Sequence, residues 1–302
     1  MSNTAKKVVP IKSDSTPSIS ASAMQVQLSI GQWRTIKKDV IASREVTTAK
    51  HAVRGTAVVN KDIMGGSKSK AAIGELAAAI YKWHRSVTLP WSNMGMRLLT
   101  NIAYPDYVRQ ASGFRQEFEA LVQCLVDDYR TDITKEQVRL GDMFDASLYP
   151  SVDEVRHSYR LDITYIPIPE AGDFRVDIGN SMTDDLAEQY NKFYGDAVAS
   201  AMKDVWKRLL EPLERMSMML DYAGGDKPKG FKDTLVSNVE DIVSVLKMCN
   251  VTGDAQMESV RLALKATLSG ITPDGLRASS TTRNTVKQKI DGIIKTLPEL
   301  DW

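Results

Sequence analysis

The chain has 302 residues, 43% hydrophobic and 25% charged, with a net charge of +1; a chain this long fills one large domain or two ordinary ones and needs no metal or disulfide to hold it together. No run reaches the ~18–20 apolar residues of a membrane span, and the first residues lack the ~7–15 apolar positions of a secretory signal, so the expectation is a cytoplasmic protein without a membrane partner. The small net charge hides an asymmetry: residues 1–70 carry 12 Lys/Arg against 4 Asp/Glu and the remainder 27 against 34, a basic front third ahead of an acidic body.

Residues 1–23 are Ser, Thr, Lys and Ala with two prolines. They cannot bury enough surface to offset the cost of ordering their backbone, which predicts a disordered N-terminal tail. Residues 25–30, Gln-Val-Gln-Leu-Ser-Ile, alternate polar and apolar as a short strand does. Gln32 to about Val53 reads as a polar helical segment with Trp33, Ile36 and Val40 on one side. From Ser69, the recurrence of Ile73, Leu76, Ile80, Trp83 and Val87 at spacings of three and four is the stripe of a helix with one buried face, ended by Pro90. Tyr107, Ala111, Phe114, Phe118, Leu121, Leu125 and Tyr129 predict a second helix of about six turns, with Pro105 just ahead of it.

The middle of the chain changes period. Tyr159 to Ile166 alternates every second residue, Pro167 and Pro169 follow, and Phe174 to Ile178 alternates again, which predicts an antiparallel hairpin over about 158–178. Ser181-Met182-Thr183-Asp184 resembles a capping box and opens a stripe running from Met182 to Leu220. That is ~60 Å of helix with a kink at Pro212, too long for one short neighbour, and the 107–130 helix is the first candidate to run beside it. Beyond Gly224-Gly225, helices are predicted at about 231–249, 254–269 and 279–297. The expected fold class is mainly α, long antiparallel helices forming a coiled-coil-like pair with a small antiparallel β element. It is organised as the tail 1–23, a helical core 24–222 holding the hairpin and the long helix 181–222, and a C-terminal helical subdomain 223–302.

Gly65-Gly66-Ser67-Lys68-Ser69 has the residue types of a phosphate-cradling loop but lacks the first glycine at the required distance, and Val58 to Met64 is a poor buried strand. Ser67 or Ser69 as a helix N-cap accounts for the stretch more simply. His51, His84 and His157 are far apart and no Cys-x-x-Cys or His-x-x-x-His pair exists, so no metal site is predicted. Cys124 and Cys249 both fall in apolar helical patterns and read as buried thiols. Asp127-Asp128 and Asp184-Asp185 read as helix-end charges. No cofactor and no catalytic residues are predicted; an enzyme would need a pocket gathering His84, His157 and a carboxylate.

Binding surfaces carry more signal. Trp33, Arg34, Lys37 and Lys38 set a ring beside several cations, and Lys82, Arg85, Trp91 and Arg97 repeat the mixture. Single-stranded nucleic acid is held this way, with bases stacked on rings and phosphates on cations. The alternative for Trp83, on the apolar stripe, and for Trp91, after a proline, is a packing role. Glu299, Asp301 and Trp302 form an acidic-aromatic end of the kind that docks a ring in a partner's pocket, or else a frayed helix end.

Five stretches in fixed order support a resemblance over roughly residues 28–220: Leu28-Ser29-Ile30-Gly31-Gln32-Trp33, Thr88-Leu89-Pro90-Trp91, Gly95-Met96-Arg97-Leu98-Leu99, Tyr104 and Tyr107 ahead of Phe114 and Phe118, and Pro167-Ile168-Pro169 leading to Asp173-Phe174-Arg175-Val176. The chain resembles uncharacterised accessory proteins of tailed phages. The resemblance implies a phage origin, the host cytoplasm as location, and no active site. The expected function is therefore non-enzymatic binding in DNA transactions, single-stranded or non-specific. The alternative is a protein-binding factor that modulates a host or phage enzyme through its helical surface, with self-association left open.

Overall fold

The computed structural model describes residues 19–92, 95–168, 180–221 and 234–298. The chain is mainly helical with a small antiparallel sheet. It divides into two compact units, one built from Leu28–Ser86 with Asp106–Thr164 and the other from the rest of the chain. They are named here for their longest helices, α3 (Tyr104–Leu140) and α5 (Asn180–Leu220). The expected boundary near residue 223 is not where the chain divides, because the helices after it belong with α5.

Strands β1 (Ala23–Gly31), β4 (Leu89–Pro90), β5 (Arg97–Thr100) and β6 (Arg160–Ile166) form one sheet in the order β4-β5-β1-β6. β1 pairs antiparallel with β5, Ala23 opposite Thr100. β6 is the first strand of the expected hairpin and joins β1; residues 174–178 lie outside the described residues. β4 and β5 were not expected. Pro90, which cannot donate to a ladder, sits on the edge strand, where that defect is tolerated.

In the α3 unit, helix α2 (Lys68–Val87) buries Ile73, Leu76 and Ile80 of the predicted stripe, while His84 is buried and Trp83 and Val87 are half-buried. Helix α3 buries Tyr107, Phe118, Val122, Leu125 and Tyr129 and then continues a further ten residues past the expected end, because Asp132 and Glu136 carry the same stripe onward as buried carboxylates. Apolar side chains of α2 and α3 share one core with Ile63, Met64, Val155 and Leu161. Each such side chain contributes roughly 1.5–3 kcal/mol on burial. Helix α4 (Val152–Ser158) opens with a capping box between Ser151 and Glu154.

The expected helix over Gln32–Val53 is shorter. Residues 36–39 are strand β2 (Ile36–Asp39), paired antiparallel with β3 (Val59–Asp62), and only then does α1 (Val40–Ala49) begin. The reason is Asp39, which accepts a hydrogen bond from the Ala42 N–H at 2.9 Å as the helix cap and holds the buried Lys61 ammonium of β3 at 2.9 Å. α1 is inside out. Its buried residues are Ser43 and Thr47, with the Val59 N–H donating to Ser43 Oγ at 2.9 Å, while Val40 and Ile41 are 60% and 71% exposed.

In the α5 unit, Ala197, Ala201, Val205, Leu209, Leu213, Met216 and Leu220 form the buried stripe of α5, which runs through Pro212 without ending. Several elements cover it instead of one long partner: α6 (Thr234–Cys249), α9 (Ser280–Ile294) and β4. The 107–130 helix expected beside it belongs to the other unit. α7 (Ala255–Leu268) packs on α6 and α9, and the short α8 (Pro273–Ala278) packs on α9. The expected disorder of residues 1–23 does not extend to the last of them. Ile19 is buried in the core of this unit, and its N–H donates to the Tyr194 hydroxyl at 3.2 Å. Among the described residues no helix is long and apolar enough to cross a membrane.

Candidate nucleic-acid interface

The glycine pair at 65–66 lies between β3 and α2. The Gly66 N–H donates to Oε1 of Glu136 on α3 at 2.5 Å, and Ser67 caps α2, its Oγ accepting from the Lys70 N–H at 3.4 Å. A Cβ at Gly66 would stand 2.9 Å from the same carboxylate oxygen, so close approach to α3 is what requires glycine here. The Gly66 amide of this loop is committed to a protein carboxylate.

The loop is the centre of a charge network. Glu136, 1% exposed, also takes Arg139 at 2.5 Å, and an Arg139 guanidinium N–H donates to the Asp62 carbonyl. Lys70 binds the Asp62 carboxylate at 2.5 Å, and the Tyr149 hydroxyl donates to the Ile63 carbonyl at 2.7 Å. Burial alone would raise the Asp62 carboxyl, but hydrogen bonds from Lys70, Thr35 and the Met64 N–H outweigh it and hold the group below its ordinary value. Asp39 is likewise lowered, first by the Ala42 N–H and then by Lys61.

Of the residues singled out as nucleic-acid contacts, Trp33, Arg34, Lys37, Lys38, Lys82 and Arg85 belong to the α3 unit, and Trp91 and Arg97 to the α5 unit. Trp33 is half-buried, edge-on to Tyr129 at 5.9 Å. Arg34, Lys38, Lys82 and Arg85 are exposed and Lys37 is half-buried. Arg34, Lys37, Lys38 and Lys82 make no ion pair with any described residue. Lys82 and Arg85 stand three residues apart on one face of α2. Trp83 is a packing residue, its ring 4.7 Å from Tyr107 and 5.1 Å from Phe114.

Trp91 and Arg97 do other work. Trp91 is 5% exposed and meets Tyr194 edge-on at 5.5 Å, so its faces are not open to a base. Arg97 donates through Nε to Thr88 Oγ1 at 2.7 Å and through Nη2 to the Thr88 carbonyl at 2.8 Å, tying β5 to the residue ahead of β4. Glu299, Asp301 and Trp302 lie outside the described residues.

Sequence reasoning missed a groove of about 310 Å³ formed by α3, α4 and the start of β6. Phe118, Val122, Tyr159 and Leu161, all buried, line its apolar side, and Arg115, Arg156 and Arg160 stand around it with Glu119 and Gln123. Arg115 and Arg156 hold no carboxylate among the described residues, and Arg160 reaches only the exposed Asp162 at 3.5 Å. Burial pushes the Tyr159 hydroxyl up to about 12, so it stays protonated at neutral pH and is a hydrogen-bond donor. Gly31 places Arg160: a Cβ there would stand 2.8 Å from Arg160 Cγ.

The histidines are not brought together. His84 is buried on α2 with Nδ1 2.9 Å from the Tyr107 hydroxyl, His157 on α4 has Nδ1 2.6 Å from the Asp153 carbonyl, and His51 is exposed in a left-handed turn. Among the described residues no three His, Cys, Asp or Glu side chains are grouped to hold a metal. Cys249 is buried, its thiol pushed up to about 11 by that burial, but Cys124 is exposed, contrary to expectation. Position 124 falls between Val122 and Leu125, off the buried stripe of α3. No protein-family model, no curated protein and no solved structure matches the chain.

Proposed function

We propose that the protein is a non-enzymatic accessory protein of a tailed phage that binds nucleic acid, single-stranded or without sequence preference, on the α3 unit. The observation that supports this is a contrast within that unit. Lys61, Lys70, Lys135 and Arg139 each hold a carboxylate, whereas Arg34, Lys37, Lys38 and Lys82 hold none among the described residues. Cations left free of protein carboxylates are available to phosphates, and the counterions they displace from nucleic acid supply most non-specific affinity. Trp33, half-exposed beside Arg34, gives a base a ring to stack on.

The test is a fluorescence-anisotropy titration with single-stranded DNA, duplex DNA and RNA at two salt concentrations. The expected result is a Kd of roughly 10⁻⁴–10⁻⁶ M that weakens steeply with salt and weakens further in the Lys37→Glu/Lys38→Glu variant. No binding at low salt ends this reading.

One observation favours the second reading, a protein-binding factor that modulates a host or phage enzyme through its helical surface. It is the apolar outer side of α1, where Val40 and Ile41 face solvent together with Ile36 of β2. A protein complex that is indifferent to salt and lost in Ile41→Lys would favour it.

A further inference from the structure

The groove on α3, α4 and β6 gathers three arginines on one apolar floor. Several helix arginines are paired with a carboxylate one turn away, Arg109 with Asp106 at 2.9 Å, Arg208 with Asp204 at 2.7 Å and Arg261 with Glu258 at 2.6 Å, whereas in the groove only Arg160 reaches one, the exposed Asp162 at 3.5 Å. Arg115 has Glu119 one turn further along α3 and does not pair with it. Arg156 has Glu154 nearby, but that carboxylate is taken up by the Ser151 cap. A guanidinium does not lose its charge at any ordinary pH, so the three stay cationic and favour an anion in the groove.

The other side of the groove narrows the chemistry. Tyr159 is 8% exposed and its hydroxyl makes no hydrogen bond to any described residue. Phe118, Val122 and Leu161 supply an apolar floor. A volume of about 310 Å³ sits at the lower end of small-molecule sites, ~300–1,000 Å³. Planar forks match phosphate oxygens in pairs, which makes arginine the fitting residue for a phosphate in a confined site. We propose that this groove is a phosphate-ester site. Arg115, Arg156 and Arg160 hold the phosphate oxygens, and the apolar floor takes the organic part of a group the size of one nucleotide.

The same chemistry reaches the groove from a free mononucleotide or from one residue of a bound strand. The site extends the nucleic-acid reading, but it uses other residues than Lys37 and Lys38, so the two stand or fall separately. The experiment is calorimetric titration of the full chain with inorganic phosphate, thymidine 5′-monophosphate, thymidine, and an oligothymidylate without a terminal phosphate. Thymidine monophosphate is expected to bind and thymidine not. Arg115→Gln and Arg156→Gln each weaken binding by about tenfold, while Lys37→Glu/Lys38→Glu leaves it unchanged.

Glu119→Gln strengthens binding, a gain that a damaged fold does not produce. Competition by the oligothymidylate identifies a strand phosphate as the occupant, and its absence identifies a free nucleotide or strand end. If neither phosphate, the monophosphate nor the oligomer senses Arg115→Gln or Arg156→Gln in a variant with unchanged circular dichroism, the site does not exist as described. Thymidine binding as tightly as its monophosphate overturns it as well.

Discussion

The two units differ in the charge they bury. In the α5 unit the buried side of the long helix is almost wholly apolar, Val205, Leu209, Leu213 and Met216 in succession, and three of its cations close on the protein itself. Arg208 binds Asp204 and the Thr88 carbonyl, Lys287 binds Asp291, and the buried Arg283 donates to the Leu276 and Arg277 carbonyls. In the α3 unit carboxylates are drawn inside, Asp39, Asp132 and Glu136 all being buried, and several cations are left outside without them. Burying an anion next to a selected lysine or arginine leaves the remaining cations in excess at the surface.

Substitutions test that difference. Leu209→Ala, in the fully buried centre of α5, is expected to cost about 4 kcal/mol in a denaturant titration, because the surrounding apolar side chains cannot close the cavity. Glu136→Ala is expected to cost about 2 kcal/mol, since it leaves the Gly66 N–H without its acceptor and takes the carboxylate from Arg139, which keeps the Asp62 carbonyl. Glu136→Gln should recover part of that loss; if it recovers none, charge and not hydrogen bonding dominates the network.

Acid tests two carboxylates of the α3 unit. The Asp39 and Asp62 carboxyls are held below their ordinary value of 3.8 in the folded chain. The stability they contribute is present above that value and is lost as pH falls below it toward their folded values. Circular dichroism over about three pH units around the carboxylate values should show an acid transition that Asp39→Asn makes shallower. A transition unchanged by Asp39→Asn would remove Asp39 from the account. Smallest of all, Cys124→Ser is expected to shift stability by no more than about 0.5 kcal/mol. In the folded wild type Cys124 should react with a thiol reagent and Cys249 should not until the chain unfolds.

Helices with apolar stripes were legible along the chain because spacing of three and four survives whatever packs against it: α2, α5, α6, α7 and α9 fall close to where their side chains predict. The end of α3 was not legible, since Asp132 and Glu136 look like surface residues until Gly66 and Arg139 are placed against the second of them. β2 was hidden because Ile36 and Val40 mimic a helical spacing, while the ladder to β3 depends on Lys61 and Asp39, which are distant in sequence. Of the candidate interface, composition alone pointed to Arg34, Lys37 and Lys38. It also pointed to Trp91, where the same residue type serves as core. The groove arginines were beyond reach, since nothing in the local sequence of Arg115 announces that α4 and β6 will set Arg156 and Arg160 beside it.

The division of the chain at Gln27/Leu28, Ser86/Val87, Pro105/Asp106 and Thr164/Tyr165 has a consequence for synthesis. Residues 87–105 leave the ribosome between the two halves of the α3 unit, yet Leu89, Trp91 and Leu98 share a core whose larger part, from α5 onward, is made much later. The nascent chain carries these apolar residues without the helix that completes their core until α5 is made. Neither unit can be cut out as one continuous segment, and a chain stopped after Thr164 would hold β4 and β5 without the helix that covers them.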